Sequence, residues 1–240
     1  MDLYDKYQPV TWGIGVIGAG PEKVSHTIKD WCAGALWARD AKHITISREC
    51  RSLGDAMSRM QPLGLADKFL QVETIDGRTA LFGNSFFAVP ELLIWSSAIE
   101  LQVPAYYIRN VPNTISHDQR SGEYGARILE FRKPEDPYGT RPTFYIGVIN
   151  DAGKWWFGRD GDEQSFEEVQ AYRALRKPNR FTVDMLVRYC RELKIPVYDS
   201  EWYSDRITII QGTSLPNVKG LTYQEARQQL RIDRRPPSRE

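Results

Sequence analysis

An Asp-Gly pair between two alternating segments constrains the fold more than any other feature of the sequence. Asp76-Gly77 joins residues 70–75 to residues 78–82, and both runs are rich in apolar and β-branched side chains. A two-residue Asp-Gly loop supplies the positive φ angles of a type I′ turn, whose twist matches that of the paired strands. The pattern predicts an antiparallel β-hairpin closed at Asp76-Gly77.

Further strands and a second hairpin are predicted along the rest of the chain. Residues 143–149 and 154–157 are strand-like and flank a turn at residues 150–153. Other strand candidates cover residues 10–17, 43–47, 105–111, 126–131 and 206–211. Hairpins without a regular alternation of strands and helices are typical of an α+β fold. We therefore expect a mixed, largely antiparallel sheet packed with about six helices.

Capping patterns mark where several helices begin. Ser52, Thr182 and Thr222 each stand just before a helical stretch and can accept a hydrogen bond from a free amide. Ser165, with Glu168 three positions on, forms the capping-box pattern, in which both side chains satisfy backbone amides. This pattern predicts a helix from residue 165 to about residue 176.

Length and proline content limit the domain organisation. The 240 residues fit one large domain or two small ones. The Pro-rich stretch 133–142 is the best candidate for a boundary, but the strands on either side look one-sided and need a shared core. We expect a single domain over residues 1–230, with a loop at 133–142 and a flexible tail at 231–240.

Charge balance, cysteine content and the terminal segments exclude several classes of protein. The near balance of 32 basic and 31 acidic residues argues against nucleic acid as a partner. Three cysteines, far apart along the chain, favour a reducing and hence cytoplasmic location. The sequence shows no secretory signal and no apolar run long enough to cross a bilayer, so no membrane association is expected. No zinc spacing of His and Cys occurs, and neither a metal nor a cofactor is expected.

A glycine-rich run at residues 13–20 offers an alternative based on an enzyme. The dinucleotide-binding motif needs a strand, a tight glycine turn and a helix whose N-terminus receives the pyrophosphate. Residues 14–17 supply a strand and Gly18 and Gly20 a turn before a helix, but Lys23 stands where a third glycine is expected. Gly18 and Gly20 are candidate nucleotide-binding residues, against the plainer interpretation of a strand and a turn.

Aromatic side chains in the second hairpin indicate a protein-binding surface. In a strand, Trp155 and Phe157 point to one face and Trp156 to the other, so one set leaves the main core face unless a helix covers both. Exposed aromatic residues ringed by charge are common hot spots at protein interfaces. We predict that Trp156 is partly exposed and that the charges of residues 159–163 surround it. The candidate partner-binding residues are Trp156, Arg159, Asp160, Asp162 and Glu163.

A segment in the C-terminal part of the chain has a recognisable pattern. Residues 166–203 combine a Phe-Glu start, an Arg-Phe-Thr triplet, a Met-Leu helix and a Leu-x-Ile end. This segment resembles one that recurs in a group of small, uncharacterised bacterial proteins. The matching positions are Phe166, Glu167, Tyr172, Arg180, Phe181, Thr182, Met185, Leu186, Tyr189, Leu193, Ile195, Asp199 and Tyr203. Residues 72–82 and 124–126 resemble parts of the same pattern, and the resemblance carries over no catalytic residues.

The sequence favours binding over catalysis. It contains no GxSxG, HExxH or Walker A motif. Together with the near-neutral charge and the abundant aromatic residues, this favours a non-catalytic protein-binding protein. Its expected class is a bacterial immunity or antitoxin-type protein that masks a toxin partner. The alternative is a nucleotide-binding enzyme that uses the glycine-rich turn at residues 13–20.

Overall fold

The computed structural model describes residues 2–34, 45–47, 50–86, 91–133, 142–212 and 219–233. The helices in these ranges are α1 (Asp2–Lys6), α2 (Pro21–Gly34), α3 (Leu53–Arg59), α4 (Glu91–Leu101), α5 (Val183–Glu192) and α6 (Tyr223–Gln229). The strands are β1 (Gly13–Ile17), β2 (Thr45–Ser47), β3 (Lys68–Thr74), β4 (Thr79–Gly83), β5 (Ala105–Val111), β6 (Ala126–Arg132), β7 (Phe144–Asp151), β8 (Lys154–Gly161) and β9 (Tyr203–Gln211). Short 3-10 helices lie at Val10–Trp12, Ala171–Arg173, Lys177–Asn179 and Ser200–Trp202.

The nine described strands form one sheet in the order β2-β9-β3-β4-β1-β5-β6-β7-β8. Strand β1 lies between β4 and β5 and is antiparallel to both. The remaining pairings among these strands are antiparallel as well. The prediction of an α+β fold with a largely antiparallel sheet is confirmed.

Both faces of the sheet carry a hydrophobic core. On one face, α2 and α4 pack against side chains that include Ile17, Leu81 and Tyr107. On the opposite face, the larger core includes Phe82 and Tyr189 and is completed by residues of α1, α3, α5 and α6. We call these the α2/α4 face and the α5 face. None of the described helices is long and apolar enough to cross a membrane.

The first hairpin forms as predicted, but its turn differs from the predicted type. The amide of Thr74 donates to the carbonyl oxygen of Arg78 and that of Gly77 to the carbonyl oxygen of Thr74, both at 2.9 Å. Gly77 has φ +79°, whereas Asp76 does not have a positive φ. The loop is therefore a three-residue type I turn followed by a glycine bulge, and the predicted type I′ turn at Asp76-Gly77 is wrong. Within this loop, only Gly77 has to adopt the left-handed backbone conformation with positive φ.

The second hairpin closes with a shorter turn than predicted. Asp151 pairs with Lys154, which leaves Ala152 and Gly153 as a two-residue loop. Their φ angles are +46° and +91°, as a type I′ turn requires. The predicted turn at residues 150–153 is thus two residues too long, and the return strand continues to Gly161 instead of ending at Phe157.

Three of the predicted helix caps are present and one predicted helix is not. The side chains of Ser52, Thr182 and Thr222 accept hydrogen bonds from the amides three positions on. Residues 165–176 do not form the predicted α-helix; they form turns and the short 3-10 helix Ala171–Arg173. Tertiary contacts compete with a helix here, because the Glu167 carboxylate pairs with Arg159 of β8 and the backbone amide of Glu168 donates to the Tyr189 hydroxyl of α5 at 2.6 Å.

Several sequence predictions fall partly outside the described residues. Strands β6 and β7 pair directly as neighbours, so the stretch 133–142 connects two strands of the same sheet, and its residues 134–141 lie outside the described part. The same holds for residues 43–44 of a predicted strand and for residues 234–240 of the predicted tail. The single-domain organisation stays a prediction.

Gly77 allows a test of the first hairpin. A Cβ at this position meets no atom within 4 Å, so the cost of a substitution comes from the positive φ alone. We expect Gly77→Val to lower the free energy of unfolding by more than about 1 kcal/mol, and Gly77→Asn to lower it less, because Asn tolerates the left-handed region. Chemical denaturation measures both. Equal stability of the Val variant and the wild type would contradict the turn assignment.

Candidate protein interface at strand β8

Strand β8 is an edge of the sheet, since it pairs with β7 and no other described strand lies beyond it. Asn150 of β7 lies opposite Trp155. Its backbone N–H donates to the carbonyl oxygen of Gly125 at 2.8 Å and so points away from β8. In an antiparallel pair, hydrogen-bonded and non-hydrogen-bonded positions alternate. The backbone groups of Trp155, Phe157 and Arg159 therefore point away from β7, towards the free edge.

Trp156 is the large apolar side chain that this edge exposes. It is 50% exposed, which confirms the prediction of partial exposure. The ammonium group of Lys154 lies 4.5 Å from the centroid of its ring, and that of Lys177 lies 5.2 Å away. Cations at this distance from an indole face are attracted by the ring electrons. Two ammonium groups therefore border the exposed indole, and we call these three residues the Trp156 surface (Lys154, Trp156 and Lys177).

The neighbouring aromatic residues of β8 point to the α5 face and are covered there. Phe157 and Trp155 are half-buried and pack on the larger core. The Phe157 ring lies 5.5 Å from that of Tyr172, centroid to centroid. The guanidinium group of Arg127 donates to the carbonyl oxygens of Phe181 and Pro178, at 2.7 and 2.8 Å. The segment 163–182 thus covers one face of β8 and leaves the Trp156 side open.

A buried ion pair holds this covering segment on the strand. Arg159 of β8 donates from Nη2 to Glu167 Oε1 at 2.6 Å and from Nε to Oε2 at 3.1 Å. The carboxylate also accepts from the Tyr172 hydroxyl at 2.9 Å and from the amide of Gln164 at 2.7 Å. The Tyr172 hydroxyl in turn lies 2.9 Å from that of Tyr189 in α5. The Glu167 side chain is fully buried.

These contacts set the ionisation of the pair. Burial opposes the charge on Glu167, but the hydrogen bonds from Arg159, Gln164 and Tyr172 outweigh it and hold the pKa of the carboxyl below its usual range. The same hydrogen bonding to Glu167 raises the pKa of Arg159. Both groups are therefore charged across the neutral range, and the pair acts as a fixed clamp between β8 and the segment 163–182.

The structure separates the five predicted interface residues. Trp156, Asp160, Asp162 and Glu163 are exposed, whereas Arg159 is half-buried and bound to Glu167 on the opposite face of β8 from Trp156. The expectation that the 159–163 charges surround Trp156 is wrong for Arg159, because alternation along a strand sends residues 156 and 159 to different faces. The cations over the indole come from Lys154 and Lys177 instead.

The glycine-rich run is explained by close packing at two positions. A Cβ on Gly15 would lie 2.5 Å from Ile94 Cδ1 of α4, and one on Gly18 would lie 2.9 Å from the carbonyl oxygen of Pro104. The Gly18 amide also donates to that oxygen at 2.8 Å. The dinucleotide motif belongs to parallel strand-helix-strand units, whereas β1 is antiparallel to both neighbours. The setting of this run therefore differs from the one that the motif requires.

Gly20 lies in a more open place. The nearest atom to a Cβ at Gly20 would be the carbonyl oxygen of Gly77, 3.8 Å away. A recess of about 400 Å³ borders this turn and includes Lys23 and Arg206 in its lining. Arg206 is 80% exposed and pairs with Glu73 at 3.4 Å, so its charge is shared with a carboxylate.

Metal-binding and thiol chemistry find little support in the described part of the chain. There, no group of three or more His, Cys, Asp or Glu side chains is placed to hold a metal ion. Cys190 is buried in the core and burial raises the pKa of its thiol. Cys50 is half-buried, and burial raises its pKa as well. Neither thiol is activated as a nucleophile.

Comparison with protein-family profiles, with curated proteins and with solved structures finds no match. The resemblance of residues 166–203 to a group of bacterial proteins therefore stays a prediction. The structure nevertheless gives several of the matching positions a physical role. Glu167 accepts from Arg159 and Tyr172, Phe166 packs on Tyr189 with ring centroids 5.0 Å apart, and Thr182 caps α5.

The Arg159–Glu167 pair predicts a pH dependence of stability. Since folding lowers the pKa of Glu167, its contribution is present above the unfolded-state value of about 4.3 and is lost as the pH falls through the folded-state value. We expect Glu167→Gln to cost about 2 kcal/mol at pH 7, because Arg159 loses its charged partner. Thermal unfolding of both proteins between pH 7 and pH 3 measures the difference, which should shrink towards the acid end.

Glu163→Gln serves as the matched control, since Glu163 is an exposed carboxylate in the same segment. Its stability should stay close to that of the wild type at every pH. A stability difference for Glu167→Gln that stays constant from pH 7 to pH 3 would show that the charge of Glu167 does not stabilise the fold.

Proposed function

We propose that this protein is a non-catalytic protein-binding protein and that the Trp156 surface receives its partner. The observation that carries the proposal is the half-exposed indole of Trp156 beneath the ammonium groups of Lys154 and Lys177. Large aromatic side chains bury much area at little entropic cost, and tryptophan is enriched among the residues that dominate binding energy.

The charges favour an acidic partner. Two lysines lie over the indole, while Arg159 is neutralised within the protein by Glu167. A partner carboxylate placed beside the indole would pair with these ammonium groups, and the partner would lose little by desolvation because the surface stays partly exposed. We propose as the occupant a folded protein whose acidic patch meets Lys154 and Lys177, and whose basic groups meet Asp160, Asp162 and Glu163 at the border of the contact.

An immunity or antitoxin-type role is the form of binding we favour, in a cytoplasmic bacterial protein that masks a toxin. Such a protein acts by covering its partner and needs no catalytic groups of its own. An exposed aromatic anchor on a clamped strand suits this role, because the surface is already ordered before the partner arrives. The rigid support comes from Glu167, which fixes Arg159 of the same strand.

Binding can be tested with the proteins encoded beside the gene for this chain. Each is co-expressed and co-purified, and any complex is measured again by calorimetry with purified components. We expect one of these products to bind and Trp156→Ala to weaken its binding about thirtyfold or more, as for an interface hot spot. Leu92→Ala, at another side chain that is 74% exposed, is the control and should leave the affinity unchanged.

Two results would contradict the proposal. One is that none of the purified neighbours binds. The other is a complex that keeps its affinity when Trp156 is replaced by Ala. Circular dichroism of the variant shows whether its fold is intact, and the exposure of the indole gives no reason to expect otherwise.

The alternative, a nucleotide-binding enzyme, is supported by the recess beside Gly18 and Gly20. Nucleotide at a hundredfold excess over its dissociation constant would stabilise the fold by about 2.7 kcal/mol. We expect no shift in melting temperature with NAD, NADP, ATP or FAD at about millimolar concentration. A reproducible shift that Lys23→Ala abolishes would favour the enzyme. Gly18→Val is unsuitable as the variant, because its Cβ would collide with Pro104.

A further inference from the structure

The free edge of β8 presents a regular row of backbone groups. Trp155, Phe157 and Arg159 direct their amides and carbonyl groups outward, as the bond from Asn150 to Gly125 shows. A strand with such an edge can accept another strand in antiparallel pairing. The question is which strand the side chains of β8 fit.

The sequence of β8 is complementary to itself. In antiparallel pairing of two copies centred on Phe157, each residue faces the one equally far on the other side of the centre. Lys154 then faces Asp160 of the second copy, and Trp156 faces Gly158. The residues whose backbone groups point to the free edge also fall opposite one another. Trp155 faces Arg159 of the second copy, and Phe157 faces Phe157 of the second copy. Backbone pairing and side-chain pairing therefore agree in this register.

We propose that β8 pairs with β8 of a second copy of this chain, antiparallel and centred on Phe157, to form a homodimer with a continuous sheet. The three outward-facing pairs give roughly six backbone hydrogen bonds between the chains, two for each pair. The twofold axis repeats the Lys154–Asp160 contact, so two exposed ion pairs form on the same face. Cross-strand pairs of opposite charge stabilise a sheet, whereas like charges in these positions destabilise it.

Trp156 fits the same arrangement. Gly158, which lies opposite it, has no side chain. A Cβ at Gly158 would lie 3.3 Å from the ring of Tyr145, so this ring lies next to the open position. The indole of one copy can therefore lie over Gly158 and against Tyr145 of the other. The two indoles are also diagonal neighbours across the axis, within reach of aromatic side chains.

Neighbouring registers fit less well. Moving the centre to Trp156 places Lys154 opposite Gly158 and removes the charge pair. Moving the centre to Gly158 places Trp156 opposite Asp160. Lys154 would then have to pair with Asp162, which lies beyond the end of β8. Centres between two residues would set outward groups against inward ones, so the backbone could not bond.

Lys177 keeps this association weak. Its neighbour Pro178 accepts a hydrogen bond from Arg127 on the α5 face, yet its ammonium group reaches the Trp156 ring on the other face. The side chain therefore passes the free edge, and pairing has to displace it. Lysine at a sheet edge hinders unwanted strand pairing. The contact is also small, so we expect a dissociation constant in the range of about 10 to 100 µM.

This inference goes beyond the proposed function and does not rest on it, since the purified chain alone tests it. Dimer formation and partner binding would compete, because both bury Trp156. A failed dimer test leaves the partner measurement unaffected, and a missing partner leaves the dimer test unaffected.

Two charge reversals test the register. In a dimer of Lys154→Asp chains, two carboxylates face each other across the strands, and in a dimer of Asp160→Lys chains, two ammonium groups do so. Each variant alone repels itself, but a mixture of the two restores attraction between opposite charges. Sedimentation of the full chain at about 5 to 200 µM measures association. We expect the wild type to dimerise, each single variant to associate at least tenfold more weakly, and the equimolar mixture to return to within about threefold of the wild type.

Glu192→Lys, at an exposed residue at the end of α5, is the control for Asp160→Lys, since it also replaces a carboxylate with an ammonium group, and it should dimerise like the wild type. Three results would overturn the proposal: a wild type that is monomeric at every concentration, single variants that associate as strongly as the wild type, or a mixture that stays monomeric while the wild type dimerises.

Discussion

The ion pair between Arg159 and Glu167 fixes the side of the molecule on which the functional proposals depend. Strand β8 has a described sheet neighbour on one side only, so its position relies on contacts from outside the sheet. Arg159 belongs to β8 and Glu167 to the segment that covers its α5 face, and the two share a bidentate contact in a buried place. With this segment fixed, Lys177 lies close to Trp156, and the indole remains open on the other face.

The same pair explains where sequence reasoning succeeded and where it failed. The strands, the hairpins and the caps at Ser52, Thr182 and Thr222 depend on neighbouring residues, and the structure contains them. The helix predicted over residues 165–176 also rested on a local pattern. There, Glu167 bonds to a strand residue eight positions earlier, and tertiary contact overrides the local preference. No pattern within the segment reveals that partner.

The candidate site shows the same division between local and distant information. Alternation along a strand was enough to place Trp156 away from the α5 face, because the period of a strand is two residues. The cation from Lys177 could not be foreseen, since 21 positions separate it from Trp156 in the sequence and only the fold joins them. The glycine run resembles a nucleotide motif for a related reason. Gly15 and Gly18 are needed because Ile94 and Pro104 pack too close to them for a Cβ, and these two residues are distant in sequence.

The edge of β8 and the exposed indole on it can be covered either by a second copy of the chain or by a foreign partner. The two binding events exclude each other, because both bury Trp156. A second copy uses the backbone groups of Trp155, Phe157 and Arg159, whereas a foreign partner needs the indole and the lysines beside it. If both form, the apparent affinity for the partner falls by the fraction of chains whose edge is occupied. The weak pairing expected from Lys177 keeps that fraction small at low concentration. At high concentration of the chain, self-association would then cover the edge of β8. A partner that binds more tightly would displace the second copy.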